Sequence, residues 1–223
     1  MKRYEDIEPH LKPLGMRVRG GFYDSDADHT VVLIGNVGSD MWGPFLRAKD
    51  NWVEPNPLDH WTEHHLSKIA DKLKADVIFP FKGPDYAPFQ SWAMRADCVY
   101  PSPIGPLIHP EYGLWHAYRA AFIFKSKIEN LPQTSKQTSP CESCMDKPCI
   151  QSCPVHVFDT GDYDVPTCVT HLQEKVDNLC LSRGCLARRA CPIGAEYQYN
   201  EEHNAFHMER FLSVFDMLGL DFR

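Results

Sequence analysis

Cys141-Glu-Ser-Cys144-Met-Asp-Lys-Pro-Cys149-Ile-Gln-Ser-Cys153-Pro154 reads C-x2-C-x4-C-x3-C-P. Three thiolates spaced this closely can wrap a cuboidal iron–sulfur cluster from one side. A fourth, followed by proline, typically turns away to ligate a different cluster. Proline after that cysteine has no amide hydrogen and a fixed φ, so it ends the loop. A second, looser block follows: Cys168, Cys180, Cys185 and Cys191-Pro192-Ile193-Gly194, whose ending echoes Cys153-Pro154-Val155.

If the two blocks exchange their last cysteines, one [4Fe-4S] cluster takes Cys141, Cys144, Cys149 and Cys191. The other takes Cys153, Cys168, Cys180 and Cys185. Eight cysteines suit two four-ligand cubes, which favours two clusters. The second block lacks a C-x2-C pair, so a single cluster stays open. Bacterial ferredoxins have two residues in the middle gap where this chain has four, and the longer gap also occurs in cluster-binding proteins. Zinc is the alternative, but four-cysteine zinc sites favour two C-x2-C knuckles, and only one is present.

Of nine cysteines in 223 residues, only Cys98 precedes Cys141. Such clustering in a reducing compartment reads as metal ligation, where a secreted chain would use disulfides. Lone Cys98 is expected as a buried apolar thiol. No run approaches the roughly 18 apolar residues of a membrane span. Met1-Lys2-Arg3-Tyr4-Glu5-Asp6 does not open a signal peptide, so the expected compartment is the cytoplasm, with no membrane partner. The net charge of −7 argues against a nucleic-acid partner, which needs clustered Lys and Arg.

Ahead of the cysteines the pattern is mixed α and β. Thr30 to Val37 (TVVLIGNV) is a buried strand, and Asp76 to Phe81 and Tyr118 to Lys125 are further strands. Asn56-Pro57 opens a helix carrying Leu58, Trp61, His65, Ile69 and Leu73 at three-to-four spacing. Ala87 to Ala96 reads as a short helix. Residues 126–140 are polar and read as a linker. Asn200 is placed to cap a last helix with Phe206, Phe211, Phe215 and Leu218 on its apolar face, packing on the core. The expected organisation is thus an α+β domain over 1–125, a linker over 126–140, a ferredoxin-like [4Fe-4S] module over 141–200 and a C-terminal helix over 201–223.

Two further patterns are weaker. His60-Trp61-Thr62-Glu63-His64 matches H-x-x-E-H, but no third zinc ligand accompanies it, so a polar helix face is the plainer reading. Gly20-Gly21 and Gly35-Asn36-Val37-Gly38 are too sparse for a dinucleotide fingerprint. By contrast, the run from Pro103 to Arg119 concentrates glycine, proline and aromatics with His109 and His116 ahead of a strand, a composition shared by packed corners and binding loops.

That run, with His109-Pro110, Tyr112-Gly113, Trp115 and Arg119, resembles the CblC-type B12-processing proteins. Val31 to Leu46 and Asn56 to Leu66 echo the same family. The resemblance implies a nitroreductase-like α+β fold with a cobalamin pocket lined by His109, Tyr112, Trp115, His116 and Arg119. It also implies removal of an upper cobalt ligand or reduction of the metal. No D-x-H-x-x-G string is present, so histidine ligation of cobalt as in the B12-dependent mutases is not implied. The cysteine half resembles epoxyqueuosine reductases and reductive dehalogenases, which append two [4Fe-4S] clusters to a nitroreductase-like cobalamin domain. Cys168 and Arg183-Gly184-Cys185 with Cys191-Pro192 match their second motif. Cys180 stands upstream where they place a cysteine shortly after Cys185.

Together these readings describe a cobalamin-binding iron–sulfur oxidoreductase that reduces or processes B12 by cluster-to-cobalt electron transfer. Its partners would be a corrinoid and an electron-donor protein or reductase. Two other readings remain: a cobalamin-dependent reductase of an organic epoxide or halide, and a ferredoxin-like electron carrier that binds no corrinoid.

Overall fold

The apolar run at Val31 forms the centre of an antiparallel sheet. The computed structural model describes residues 4–48, 52, 56–131, 137–174 and 177–217. The chain divides into two units, Met1–Val99 with His116–Gln137, and Tyr100–Trp115 with Thr138–Arg223. The segment 100–115 therefore belongs with the cysteines, whereas the sequence reading drew one boundary at 126–140. Among the described residues no helix is long and apolar enough to cross a membrane.

The first unit opens with α1 (Glu8–Leu11), followed by β1 (Arg17–Asp24), β2 (His29–Val37), α2 (Trp42–Ala48), α3 (Pro57–Leu73), β3 (Asp76–Ile78) and α4 (Phe89–Ala96). After two short strands of the other unit, β4 (Tyr100–Pro101) and β5 (Leu107–Ile108), it resumes with β6 (His116–Phe124). Its sheet has the order β1-β2-β6-β3, every pair antiparallel. Val31, Val32, Leu33 and Ile34 are wholly enclosed, as a strand needs when both of its faces are covered.

β1 was not legible in the sequence, because two arginines and two glycines in Arg17–Asp24 argue against a strand. Tertiary contacts override that preference. The pairing with β2 slips between Val18 and Gly20, and this bulge turns Arg19 inward. Its Nη2 donates to Asp97 Oδ2 at 2.8 Å, with side-chain exposures of 2% and 9%. Tyr118 Oη donates to the same oxygen at 2.9 Å, and burial pushes the Tyr118 hydroxyl well above its ordinary range. At Gly20, with φ +151°, a Cβ would lie 2.1 Å from the Ala96 carbonyl oxygen, so only glycine lets α4 end this close to the strand.

α3 begins at Pro57 as expected, with Asn56 at its N-cap. The Asn56 side chain makes no cap bond, while its carbonyl accepts from His60 N at 3.1 Å. The buried stripe is Leu58, Trp61, Thr62, Leu66 and Ala70. His65, Ile69 and Leu73 flank that stripe half-buried, a correction to the expected face. The start of the presumed linker is fastened to the first unit. Thr30 Oγ1 donates to the Ser126 carbonyl at 2.8 Å and accepts from Ile128 N at 3.1 Å, and Ile128 is buried. Residues 132–136 of that stretch lie outside the described residues.

The second unit is built from the short helices α5 (Pro140–Ser143), α6 (Pro148–Gln151), α7 (Val165–Gln173), α8 (Leu179–Arg183) and α9 (Leu186–Arg189), and the longer α10 (Glu201–Met217). Side-chain caps stop and start them around the cysteines. Ser139 accepts from Cys141 N, Asp164 from Thr167 N, and Asn178 from Cys180 N and Leu181 N. Such caps satisfy amides that a one-turn helix cannot pair internally. Asn200 Oδ1 accepts from His203 N at 2.8 Å at the start of α10. α10 packs against α7 and α8, where Leu212, Phe211 and Phe215 meet Val169 and Leu172. Phe206 is buried, and Leu218 lies outside the described residues.

Arg19→Ala removes the guanidinium from an enclosed carboxylate. It is expected to cost about 3 kcal/mol, read as a lower urea midpoint at unchanged denaturant slope.

Candidate metal centre

The short helices present their cysteines at ends and first turns. Cys141 lies in the first turn of α5 and Cys144 is its C-cap, Cys149 lies in α6 with Cys153 just beyond, and Cys168 lies in α7. Cys180 lies in α8, Cys185 is the N-cap of α9, and Cys191 follows that helix. All eight thiols are free of disulfides.

Their mutual electrostatics sort them into two sets. Cys141 and Cys191 each feel Cys149 and Cys144, and Cys191 also feels Cys141. Cys168 feels Cys185, Cys153 and Cys180, while Cys180 and Cys185 both feel Cys153. Cys141, Cys144, Cys149 and Cys191 thus lie within electrostatic reach of one another, and so do Cys153, Cys168, Cys180 and Cys185. Each set has two buried members, Cys149 and Cys191 in one and Cys153 and Cys180 in the other, beside two half-buried ones.

Burial is the largest influence on these sulfurs. It pushes up the thiols of Cys141, Cys149, Cys180, Cys185 and Cys191, and that of Cys168 to about 11. Hydrogen bonds work the other way, because a donor stabilises the thiolate. The amides of Ile150, Leu186 and Ile193 serve Cys149, Cys180 and Cys191, and those of Arg188 and Ala187 serve Cys185. Side-chain hydroxyls add one donor to each set, Ser139 on Cys141 and Tyr163 on Cys168. The Lys147 ammonium favours the thiolates of Cys141 and Cys149, and its Nζ is fixed by the Cys141 carbonyl at 2.6 Å. N–H and O–H donors of this kind favour the thiolate over the thiol. Among the described residues, no three or more His, Cys, Asp or Glu side chains form a group that could hold a metal ion.

The loop ahead of β6 is built onto this unit. His109 and Gly113 exchange backbone hydrogen bonds, both 2.9 Å. At Gly113, with φ +56°, a Cβ would fall 1.8 Å from the Ile193 carbonyl oxygen. The loop backbone therefore lies directly on the turn after Cys191. Tyr112 stacks on His109 at 4.3 Å, and Tyr197 Oη donates to Glu111 Oε1 at 2.8 Å. Trp115 is fully enclosed. The Arg188 guanidinium lies over its ring at 4.6 Å, and Tyr199 meets it edge-on at 5.5 Å.

The five residues expected to line a cobalamin pocket thus fall in different surroundings. His109 and Tyr112 are half-buried and Trp115 is a packing centre of the second unit. His116 and Arg119 lie on β6 of the first unit. His116 is buried with its ring edge-on to Tyr118 at 5.7 Å. Arg119 is half-buried, and its Nε donates to Asn36 Oδ1 at 3.4 Å. Burial pushes the Asp59 carboxyl up, with Arg119 and His60 opposing.

The weaker patterns resolve simply. Glu63 pairs with Lys82 at 2.9 Å and His64 with Lys68 at 2.7 Å, so the H-x-x-E-H string is the polar side of α3. Gly20, Gly21 and Gly35 lie within strands. Cys98 is half-buried, not buried as expected. The reading missed Arg188, Ser139, Lys147 and Tyr163. Only Ser139-Pro140, a cap signal before Cys141, had a signature.

No family model and no curated protein matches this chain. Solved structures do. The B12-trafficking protein CblC of C. elegans, a human MMACHC homologue, matches with a TM-score of 0.55 at 16% identity, over 92% of this chain and 91% of its own. The chain shares that fold. A selenomethionine-labelled epoxyqueuosine reductase matches at TM-score 0.46 and 13% identity, over 79% of this chain and 52% of its own. The Bacillus subtilis enzyme matches at 0.46 and 14%, over 76% and 50%. The chain spans about half the length of those reductases.

Gly113→Ala sets a methyl into the Ile193 backbone. It is expected to lower the melting temperature and to raise the solvent exposure of Trp115, read from tryptophan fluorescence.

Proposed function

We propose that this chain is an iron–sulfur protein that takes cobalamin as substrate, reducing or processing it with electrons from [4Fe-4S] centres. What supports the reading is the spacing of the eight free cysteines, in two groups of four within mutual electrostatic reach, the ligand count of two cubane clusters. The fold shared with a B12-trafficking protein supports a corrinoid as the substrate. On this reading the first unit is nitroreductase-like and the second ferredoxin-like. Cys141, Cys144, Cys149 and Cys191 hold one cluster, and Cys153, Cys168, Cys180 and Cys185 the other.

When bound, such clusters supply electrons one at a time at potentials as low as about −700 mV, the range that reduction of cobalt demands. The chain's own residues do the rest. Backbone amides at Cys149, Cys180, Cys185 and Cys191 compensate sulfur charge inside the unit. Arg119 is half-buried on β6 beside Asn36, a setting in which a guanidinium binds amide or anionic groups of a corrinoid more strongly than in open water.

Anaerobically reconstituted protein is expected to hold iron and sulfide at about eight each per chain, two cubane equivalents. Titration with cob(II)alamin is expected to shift the cobalt absorption bands. Stoichiometric zinc in place of iron would sink the cluster assignment, and an unchanged spectrum at saturating corrinoid would sink the substrate. Cys149→Ser is expected to lower iron by about half, with Cys98→Ser unchanged. Arg119→Ala is expected to weaken corrinoid binding roughly 10-fold or more, the loss of one charged hydrogen bond.

A further inference from the structure

The chain turns back on itself between His109 and Gly113, closed by their paired backbone hydrogen bonds. Pro110 has no amide to place, but Glu111 and Tyr112 each bring one into the turn. Both amides are taken by the same side-chain atom. His109 Nδ1 accepts from Glu111 N at 3.1 Å and from Tyr112 N at 3.2 Å. A ring nitrogen that accepts carries no proton, so this imidazole is neutral with its proton on Nε2. Tyr112 lies flat on the same ring, 14° from parallel. His109 precedes a proline at a turn, a place where aspartate or asparagine ordinarily gives a side-chain oxygen to the amides that follow. An asparagine oxygen accepts at any pH. The imidazole accepts only while it is neutral.

We propose that His109 is a pH-sensitive latch: neutral, it closes the turn through Nδ1, and protonated it frees the amides of Glu111 and Tyr112 and loosens the seat of Gly113 on the Ile193 backbone. The proton comes from solvent and ends on Nδ1, and the two hydrogen bonds are what it breaks. An unconstrained histidine titrates near about 6.5. The closed turn excludes that proton, so in acid the unfolded chain binds more protons than the folded one. The latch therefore contributes stability above that value and loses it as the pH falls below. The titratable groups around it are Glu111 and Tyr112 of its own loop and, from the turn after Ile193, Glu196 and Tyr197. Tyr197 meets Tyr112 edge-on at 5.0 Å, and its bond to Glu111 pushes its hydroxyl up to about 12, so it keeps its proton throughout. From α9, Arg188 reaches the loop at the Leu114 carbonyl.

The test is amide hydrogen exchange of the full chain at Glu111 and Tyr112, corrected for the intrinsic pH dependence of exchange. In the wild type, protection of both amides is expected to fall about tenfold between about pH 7.5 and about pH 5, the loss of two hydrogen bonds. In His109→Asn the side-chain oxygen replaces Nδ1 and does not titrate, so protection should hold constant over that range. His109→Leu has no acceptor and should show the low level at both ends. Glu111→Gln and Tyr197→Phe should keep the wild-type response. Wild-type protection that ignores pH, or an equal fall in His109→Asn, would overturn the latch, and so would a Glu111→Gln chain that no longer responds. Nitrogen NMR of the wild-type imidazole needs no variant. A proton on Nε2 alone at neutral pH supports the latch, and a protonated Nδ1 would overturn it.

Discussion

The guanidinium of Arg188 lies 4.6 Å from the ring centres of both Trp115 and Tyr199. It donates twice to the Leu114 carbonyl, and the amide of the same residue reaches the sulfur of Cys185. One side chain thus ties the loop before β6, the approach to α10 and the second set of cysteines. A planar cation suits the position. It stacks on aromatic faces and still presents in-plane donors, which a lysine ammonium cannot do in the same geometry. Without it, Trp115 would lose the cover of one face and the Leu114 carbonyl two donors.

Burial and charge are in tension throughout the second unit. Thiols need to be anionic to bind metal, yet every cysteine with a resolved shift is pushed the other way by the surrounding protein. The one-turn helices ease this. Their first amides have no partner within the helix, so they are available to sulfur, and Cys185 at the N-cap of α9 receives two of them. The short helices and the dense cysteines are therefore one design, in which helix starts serve as sulfur-binding sites.

What was legible in the chain follows from how far each signal reaches along it. β2 and β6 announce themselves by apolar runs, and α3 by Pro57 and its spaced apolar residues, since these are local properties. β1 was hidden because Gly20 and Arg19 are chosen by α4 and Asp97, which lie far away in sequence. The cysteine positions were visible by spacing alone. Their hydroxyl partners were not, because Tyr163 reaches Cys168 through ring stacking on Phe158 and Phe211 and belongs to no motif. Trp115 was readable as special but not as enclosed, since its cover comes from Arg188 and Tyr199.

The chain leaves the first unit after Val99 and re-enters it at His116, and this excursion constrains biosynthesis. When residues 100–115 emerge from the ribosome, the turn at Ile193 and the side chains of Arg188 and Tyr199 have not been made. The nascent Trp115 must wait uncovered, close in sequence to the strand that completes the sheet. Expression in cells therefore depends on how fast the carboxyl-terminal half is translated and on whether a chaperone shields that loop meanwhile.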